Sequence, residues 1–373
     1  MPTSGGDLGE ALRSAYPELA AVREAAGDAP VYLVGGAVRD LLLGRGRADI
    51  DLVVEGEAAA LAARLGADTV EHERFATAKV ELDGHEVDIA TARAETYPSP
   101  GALPKVRPAK LEDDLVRRDF TINAMAIPLQ GEPELIDPHG GRADLEARQL
   151  RVLHERSFAD DPTRTIRAAR YAARFGFEPE PETAELLRAA NLDTVSADRK
   201  DAELLRLAGE SEAAQGFGLL AEWGLVEPRG GGVELAAQVA ELLSNPPWKG
   251  VADHDRAVLA AALGPAGDEV ELVSATPELP SEGVDLARGR DPVELALARA
   301  MGAEWLDPYL EEWCAVELEI GGEDLIAAGI PQGPALGRGL REALRRKLDG
   351  EISSREQELE VALEAARSAD EVG

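Results

Sequence analysis

The sequence contains little cysteine, histidine or aromatic side chain, and these shortages exclude several kinds of protein. A single cysteine, Cys314, among 373 residues excludes an internal disulfide. That cysteine and the five histidines form no cluster of the kind that binds structural zinc. Basic residues are scarce too, because 39 Lys and Arg stand against 71 Asp and Glu, for a formal net charge of −32. So acidic a chain disfavours non-specific binding to nucleic acid.

Long apolar runs are missing as well. None approaches the roughly 20 residues that a membrane-spanning helix needs. The N-terminal segment MPTSGGDLGE has no basic flank followed by an apolar stretch, so we expect no secretory signal. These features predict a cytoplasmic protein with no membrane partner, and the sequence does not indicate protein partners. Hydrophobic residues make up 45% and charged residues 29%, which is typical of a folded globular chain.

The patterning predicts an α+β domain followed by all-helical domains. After a helical lead-in, strand and helix patterns alternate from residue 31 to about 137, and helical periodicity continues from about 143. Strands are predicted in VYLVGG, DIDLVVEG, FATAKVEL, HEVDIATA and INAMAIPL. Residues 98–108 are predicted to be a loop, and residues 263–291 a linker or loop-rich connection. We name the resulting units head (1–142, including an N-terminal helix), neck (143–212), body (213–291, with the loop-rich connection) and tail (292–373).

The acidity is uneven along the chain. Residues 1–200 carry 25 Lys and Arg against 36 Asp and Glu, whereas residues 201–373 carry 14 against 35. Within the first part, residues 105–174 are rich in arginine. Because charges beyond a Debye length of about 8–10 Å are largely screened, a local basic groove can still attract a polyanion. The alternative is that several of these arginines lie on solvated helix faces.

A double glycine ends the first predicted strand. Gly35 and Gly36 enter a helix, so backbone N–H groups and the helix N-terminus can face a phosphate there. Arg39 follows one turn later, where its guanidinium can meet the same phosphates. The spacing lacks the G-x-G-x-x-G pattern of dinucleotide-binding proteins, which disfavours a nicotinamide oxidoreductase. By itself the glycine pair is also typical of an ordinary tight turn.

The next predicted strand begins with alternating aspartates. Asp49 and Asp51 point to the same face while Ile50 packs into the core. Paired carboxylates suit Mg²⁺, and Asp88 on another predicted strand could add a third. Two ions about 3.5–4 Å apart could activate a hydroxyl and stabilise a departing pyrophosphate. The alternative is a pair of strand-end aspartates in a turn, and the glycine turn just upstream favours the metal site.

These two segments, with four others in the same order, resemble the class II tRNA nucleotidyltransferase and poly(A) polymerase family of the polymerase-β-like superfamily. The matching segments within residues 31–207 are GGAVRD with ADIDLVV, RRDFTINAMAI, LIDPHGG, ADDPTRTIRAARYAARFGF and, more loosely, SADRKDAEL. The resemblance implies a polymerase-β-like sheet domain with a helical neck, body and tail. It implies an enzyme that uses CTP, ATP and Mg²⁺ to add C, A or both to the 3′ acceptor end of tRNA, with release of pyrophosphate.

The resemblance also implies roles for individual residues, most of them in nucleotide binding. The glycine turn (Gly35, Gly36) and Arg39 would hold the triphosphate, and Asp49 and Asp51, with Asp88 as a further catalytic candidate, would hold the metals. Arg118, Asp119 and Asn123 would contact the sugar, Asp161 and Arg164 would read the base edge, and Arg167 and Arg170 would line the same pocket. Asp160 and Asp198 depart from the family pattern, which has glutamate at both positions.

The spacing of Asp161 and Arg164 supports a base-reading role. Residues three apart lie on one helix face, where a carboxylate can accept from a base amine and a guanidinium can donate to a ring nitrogen or carbonyl oxygen. Ile166, Ala169 and Ala173 form the apolar stripe of the same helix. The alternative is that Asp160 caps the helix and that Asp161 and Arg164 form a surface ion pair.

Residues 321–351 resemble the tail segment of bacterial family members. Their basic residues, predicted to contact tRNA, are Arg338, Arg341, Arg345, Arg346 and Lys347. The alternative here is an ordinary helical hairpin with a solvated basic face.

Two alternatives to a tRNA-extending enzyme stay open at this point, and so does the choice of nucleotides that such an enzyme adds. A poly(A) polymerase would share the chemistry but use only ATP, and a non-catalytic RNA-binding relative would lack it. Among tRNA enzymes, the sequence does not distinguish addition of CCA from addition of CC or of A alone.

Overall fold

The computed structural model describes residues 5–45, 47–66 and 77–368. The chain divides into two compact units, Met1–Val226 and Glu227–Gly373. No helix in the described ranges is long and apolar enough to cross a membrane. The prediction of an α+β N-terminal part followed by helices is confirmed.

The first unit contains every strand found among the described residues. Its elements in chain order are α1 (Gly5–Ala15), α2 (Leu19–Ala26), β1 (Val31–Val34), α3 (Gly36–Leu43), β2 (Ile50–Val54), α4 (Ala58–Arg64), β3 (Thr77–Leu82), β4 (His85–Thr91), β5 (Arg93–Thr96), β6 (Lys105–Pro108), α5 (Leu111–Val116), a 3₁₀ turn (Thr121–Asn123), β7 (Ala126–Pro128), α6 (Gly141–Ala147), β8 (Gln149–Leu150), α7 (Ser157–Asp160), α8 (Thr163–Phe175), β9 (Glu178–Pro179), α9 (Pro181–Ala189), α10 (Ala197–Ala208) and α11 (Ala213–Glu222).

The main sheet has the strand order β3-β4-β2-β1-β7. β2 and β4 run parallel, and the other neighbouring pairs run antiparallel. Val53 on β2 is buried with Val34 on β1 in an apolar cluster. Since side chains two residues apart on a strand share a face, Asp51 lies on the same face of the sheet as Val53, and its register partner on β4 is Asp88.

Two local predictions in this unit were wrong. Residues 105–108, predicted as part of a loop, form β6 and pair antiparallel with β5, so that only residues 97–104 connect the two strands. The predicted strand INAMAIPL shortens to β7 (Ala126–Pro128), because Thr121–Asn123 form a 3₁₀ turn. The Thr121 hydroxyl at the start of this turn donates to Asp144.

The helix predicted across residues 159–177 is interrupted at Asp161. Pro162 disfavours helical torsions in the residue before it, and Asp161 adopts φ −135° and ψ 91°. The Asp161 side chain accepts from the backbone N–H of Thr163, at the start of α8, whereas Asp160 pairs with Arg156. The predicted helix cap at Asp160 is therefore wrong, and Asp161 does not lie on the helix that carries Arg164.

The regular elements described in the second unit are all helices. Its helices are α12 (Gly232–Ser244), α13 (His254–Leu263), α14 (Glu269–Ser274), α15 (Pro280–Ala287), α16 (Pro292–Ala300), α17 (Leu306–Glu311), α18 (Gly322–Ala327), α19 (Pro334–Leu348) and α20 (Arg355–Arg367). The segment 263–291, predicted to be a linker or loop-rich, contains α14 and α15. Pro280 stands at the first position of α15, where its missing N–H costs no hydrogen bond.

Candidate active site

A cavity of about 460 Å³ opens in the first unit between the glycine turn after β1 and the helices α8 and α10. The charged side chains that line it are seven arginines (Arg93, Arg117, Arg118, Arg164, Arg167, Arg170, Arg206) and five carboxylates (Asp51, Glu95, Asp119, Asp161, Glu203). The cavity wall is therefore net basic although the whole chain carries −32. A polyanion can be attracted locally without a basic surface elsewhere.

The structure brings most of the predicted site residues to this cavity. Those that line it are Gly35, Gly36, Asp51, Arg118, Asp119, Asn123, Asp161, Arg164, Arg167 and Arg170. Arg39, Asp49 and Asp88 do not line it. Lining residues that the sequence reasoning missed are Arg93, Glu95, Tyr97, Pro104, Arg117, Tyr171, Glu203 and Arg206.

The glycine turn lies directly against charged side chains. Gly35 has φ +69°, and a Cβ atom there would stand 2.9 Å from Nη1 of Arg118 and 3.6 Å from Oδ2 of Asp51. A side chain at this position would therefore displace the Arg118 guanidinium. The close approach brings a backbone turn, a cation and a carboxylate together at one end of the cavity.

Arg39 is buried behind this turn instead of lining the cavity. Its Nε donates to Oδ1 of Asp40 at 2.8 Å, and its Nη1 donates to Oδ1 of Asn123 at 2.7 Å. The guanidinium also packs over the rings of Phe175 and Tyr171, at 4.6 and 5.3 Å from the centroids. Burial lowers the pKa of Arg39, but the hydrogen bond to Asp40 and the charges of Asp40, Tyr171 and Asp119 together outweigh it, so the pKa is raised. In this structure Arg39 orients Asn123 and links α3 to α8.

Carboxylates crowd at the sheet end of the cavity. Burial raises the pKa of Asp51, and the charges of Asp88 and Asp49 raise it further, against the opposing effects of Arg118 and Lys79. No three ligand-type side chains in the described ranges stand close enough to hold a metal as they are. The donor chemistry nevertheless fits a divalent cation, because a hard positive ion would stabilise the Asp51 carboxylate, whose pKa burial and its carboxylate neighbours raise.

Asp114 on α5 holds the two arginines that precede Asp119. Its buried carboxylate accepts from Nη2 of Arg117 at 2.7 Å and from Nη2 of Arg118 at 2.9 Å. Burial would raise the pKa of Asp114, but the Arg118 and Arg117 guanidiniums outweigh it and lower the pKa. The spacing D-x-x-R-R, with acid and base three and four residues apart, is the sequence signal for these pairs.

We predict that Asp114→Asn lowers the free energy of unfolding at pH 7 by about 3 kcal/mol, because two largely buried guanidiniums lose their counter-charge. A carboxyl whose folded pKa is lowered stabilises the fold above its unfolded pKa of about 3.9, and this contribution is lost as the pH falls through the folded value. The deficit of the variant should therefore shrink below about pH 4. Urea unfolding of wild type and variant at several pH values measures this difference in unfolding free energy.

The matched control for this prediction is Glu112→Gln, on the exposed side of the same helix. It should change stability little at any pH. A deficit of Asp114→Asn that stayed constant from pH 7 to pH 3 would contradict the ionic explanation.

Asp119 lies in the middle of the cavity wall, between Asn123 and α8. It accepts from Nδ2 of Asn123 at 3.0 Å and from the backbone N–H of Phe120 at 2.8 Å, and it pairs with Nε of Arg167 at 3.1 Å. Burial would raise the pKa of Asp119, but Arg167 and the hydrogen bonds outweigh it and lower the pKa. Asp119 is therefore held ionised and in a fixed orientation at pH 7.

Asp161 and Arg164, which also line the cavity, are each held by other partners. Oδ1 of Asp161 accepts from the backbone N–H and the hydroxyl of Thr163 and from Nη2 of Arg199. Arg164 donates to Oγ of Ser157 at 2.8 Å and to the carbonyl oxygen of Arg117 at 2.6 Å. The ion pair between Asp161 and Arg164 is absent from the described residues, because Asp161 precedes α8.

Three of the lining arginines have an unused donor. The Nε–H groups of Arg118, Arg164 and Arg170 are buried and have no hydrogen-bond partner among the described residues. A buried donor without an acceptor costs about 1–3 kcal/mol. A ligand rich in oxygen and ring-nitrogen acceptors could satisfy these donors, which is the chemistry of a nucleotide.

Most of the basic residues of the tail segment form ion pairs inside their own unit. Arg345 and Arg346 both pair with Glu342 at 2.9 Å, and Lys347 pairs with the buried Glu358 at 2.6 Å. Of the five predicted contacts, Arg338 and Arg341 form no ion pair with another described residue. A tRNA contact of the tail would depend chiefly on these two residues.

Comparisons with known proteins show which family this chain resembles. Residues 31–151 match the family model of the poly A polymerase head domain. A CC-adding tRNA nucleotidyltransferase of Deinococcus radiodurans is 35% identical, over 90% of this chain and 89% of that protein. An A-adding tRNA nucleotidyltransferase of Geobacter sulfurreducens is 32% identical, over 91% of this chain but 46% of that protein. The structure of a Thermotoga maritima CCA-adding enzyme complexed with tRNA has a TM-score of 0.74 and 30% identity, covering 96% of this chain and 98% of that one.

Proposed function

Since this chain belongs to the tRNA nucleotidyltransferase and poly(A) polymerase family, we propose that it adds C, A or both to the 3′ end of tRNA from CTP and ATP. The observation that carries the proposal is the arginine-lined cavity. The glycine turn and Asp51 line it beside Arg118, and Asp161 and Arg164 line it where Arg199 and Ser157 hold them. We assign the triphosphate to the first group of residues and the base to the second.

In the proposed reaction, the 3′-hydroxyl oxygen of the tRNA attacks the α-phosphorus of the nucleotide. A new phosphodiester bond forms, the bond to the β-phosphate oxygen breaks, and pyrophosphate leaves. Asp49, Asp51 and Asp88 would hold Mg²⁺, which when bound stabilises negative charge on the transferring phosphoryl group. The chain itself binds the triphosphate through the N–H groups of the glycine turn and through Arg118, whose guanidinium Asp114 holds in place.

The sugar and the base would be recognised by fixed polar groups of the head and neck. Asp119 and Asn123, already hydrogen-bonded to each other, present a rigid pair to the ribose. Oδ1 of Asp161 is occupied by three donors, so Oδ2 is the oxygen available to accept from a base amine. The buried Arg164 would donate to a ring nitrogen or carbonyl oxygen of the same base. Such a pair can read C and A without a nucleic-acid template.

A direct test supplies tRNA transcripts that end before CCA, after C and after CC. Each transcript receives labelled CTP alone or ATP alone with Mg²⁺, and the products are sized on a gel. Incorporation of C into the shorter transcripts together with A into the CC form indicates full CCA addition, and incorporation of one nucleotide only indicates a CC-adding or an A-adding enzyme. Absence of transfer with every combination would refute the proposal. Repeated addition of A to unrelated RNA would indicate the poly(A) polymerase alternative.

A further inference from the structure

The connection between β5 and β6, residues 97–104, forms a wall of the cavity through Tyr97 and Pro104. We propose that the ring of Tyr97 stacks on the base of the incoming nucleotide, whether that base is cytosine or adenine. The inference rests on the proposed function and adds to it a contact that depends on the ring itself. Asp161 and Arg164 would read the edge of the base, and Tyr97 would hold its face.

The position of Tyr97 suits a base and not a phosphate. Its hydroxyl donates to Oε2 of Glu95 at 3.0 Å. Burial and the charge of Glu95 raise the pKa of Tyr97 to about 12, against the opposing effect of Arg164, so the phenol is neutral at physiological pH. Tyr97 lines the same cavity as Asp161 and Arg164, the two residues assigned to the base. A neutral ring attracts no triphosphate but offers a flat apolar face.

Tyr97 differs in this respect from Tyr171, the second tyrosine that lines the cavity. The Tyr171 ring is packed by Phe120 and Phe175, and the Arg39 and Arg170 guanidiniums lie within 5.3 Å of its centroid. Among the described residues, no stacked or edge-on ring pair and no guanidinium over the ring face is found for Tyr97. Of the two rings, Tyr97 is therefore the one whose faces other aromatic or cationic groups do not occupy.

The loop that carries Tyr97 is fastened to the neck. The backbone N–H of Gly101 donates to the carbonyl oxygen of Ala159 at 3.1 Å, and Arg199 donates to the carbonyl oxygen of Gly101 at 2.8 Å. Gly101 has φ +71°, and a Cβ atom there would stand 2.5 Å from the carbonyl oxygen of Thr194. Arg199 also binds Asp161 at 2.9 Å. The same guanidinium therefore holds both the loop and the base-reading carboxylate, so the ring is positioned before a nucleotide binds.

Stacking on an aromatic ring stabilises a bound base by about 1–3 kcal/mol and tolerates every base, because all of them have a π face. A stacking residue therefore fits a site that accepts two different nucleotides. We expect Tyr97→Ala to weaken the binding of CTP and of ATP alike, by about 5- to 150-fold, with the ratio of the two Kd values changed little. Tyr97→Phe, which keeps the ring, should bind both nucleotides about as wild type does.

The experiment measures Kd for CTP, ATP and inorganic tripolyphosphate with the full chain in the absence of tRNA. Tyr97→Leu separates stacking from simple packing, because leucine is apolar but has no π face, and it should bind CTP and ATP nearly as weakly as Tyr97→Ala. Leu103→Ala is the matched control, since Leu103 is exposed on the same loop and does not line the cavity. Binding of tripolyphosphate should be the same in all variants, which also shows that each variant has kept its fold.

Three results would overturn the proposal. An unchanged Kd for CTP and for ATP in Tyr97→Ala excludes a contact with the incoming base. This conclusion also holds if the KM for tRNA rises in the same variant. Equal losses in Tyr97→Phe and Tyr97→Ala assign the effect to the hydroxyl and its bond to Glu95. Weakened tripolyphosphate binding in Tyr97→Leu as well as in Tyr97→Ala indicates general damage to the cavity. If the proposed function itself is wrong, the result is different, because wild type then transfers no nucleotide to any tRNA transcript, whatever its Kd values are.

Discussion

Replacing Asp51 with asparagine should abolish nucleotide transfer while leaving the fold intact. We expect kcat/KM to fall by at least about 10³-fold, because a carboxylate that binds the metal ion supplies several kcal/mol of charge stabilisation in the transition state. Burial and the neighbouring aspartates raise the pKa of Asp51, so the folded protein without metal disfavours its charged form. A neutral side chain at this position relieves that repulsion. The melting temperature of Asp51→Asn should therefore equal or exceed that of wild type.

Metal binding gives a second measurement for the same variant. Mg²⁺ should raise the melting temperature of wild type, because a ligand that binds only the folded state stabilises it. This increase should be smaller in Asp51→Asn and in Asp49→Asn. Glu86→Gln is the control, since Glu86 lies on the same strand as Asp88 but is exposed, and its ion-pair partner is Lys79. Near-normal turnover of Asp51→Asn or Asp49→Asn would show that the metal assignment is wrong.

Replacing Arg164 with alanine should relax the choice of base more than it weakens the binding of the triphosphate. Arg164 is 2% exposed, and Ser157 and the Arg117 carbonyl fix its guanidinium in the cavity wall. A well-placed guanidinium contributes about 1–3 kcal/mol to discrimination between bases. The ratio of kcat/KM for the preferred nucleotides over GTP and UTP should fall by about 10- to 100-fold.

Two further variants sharpen this prediction. Arg164→Lys keeps the charge but loses the fixed planar fork of donors, so it should not restore base selection. Arg174→Ala, on the same helix but 41% exposed at its side chain, should leave selection unchanged. Unchanged selectivity in Arg164→Ala would count against a template role for this residue. A parallel loss of tripolyphosphate binding would indicate instead that Arg164 contacts the phosphates.

Local patterns in the sequence were sufficient to predict the two strands and the glycine turn beside the cavity. The apolar run before Gly35 predicts a strand, and the alternation of Asp49, Ile50 and Asp51 predicts a shared polar face, because side chains of a strand alternate with a period of two. The structure has β1, the glycine turn and β2 in these places, but β2 begins at Ile50, so Asp49 precedes the strand, and of the two aspartates Asp51 alone lines the cavity. The acid and base spacing around Asp114 likewise determines its contacts, since residues three and four apart meet on a helix.

Contacts between residues distant in the sequence were decided only by the tertiary structure. Spacing placed Asp161 and Arg164 on one helix face, but Pro162 interrupts the helix, and the partner of Asp161 is Arg199, 38 residues away. Arg39 was expected at the phosphates, but Asn123, 84 residues away, turns its guanidinium into the interior. Such partners leave no periodic signal, because their distance along the chain is unrelated to their distance in space.

The charge of the protein shows the same division between sequence and fold. Composition determined that the chain is strongly acidic and that its arginines concentrate between residues 105 and 174. Only folding brings Arg93 and Arg206 to the same wall as those arginines, and only folding places Tyr97 beside them. The physical reason is that composition sets the total charge, whereas the packing of α8, α10 and the β5–β6 connection around one cavity sets the local potential that a nucleotide meets.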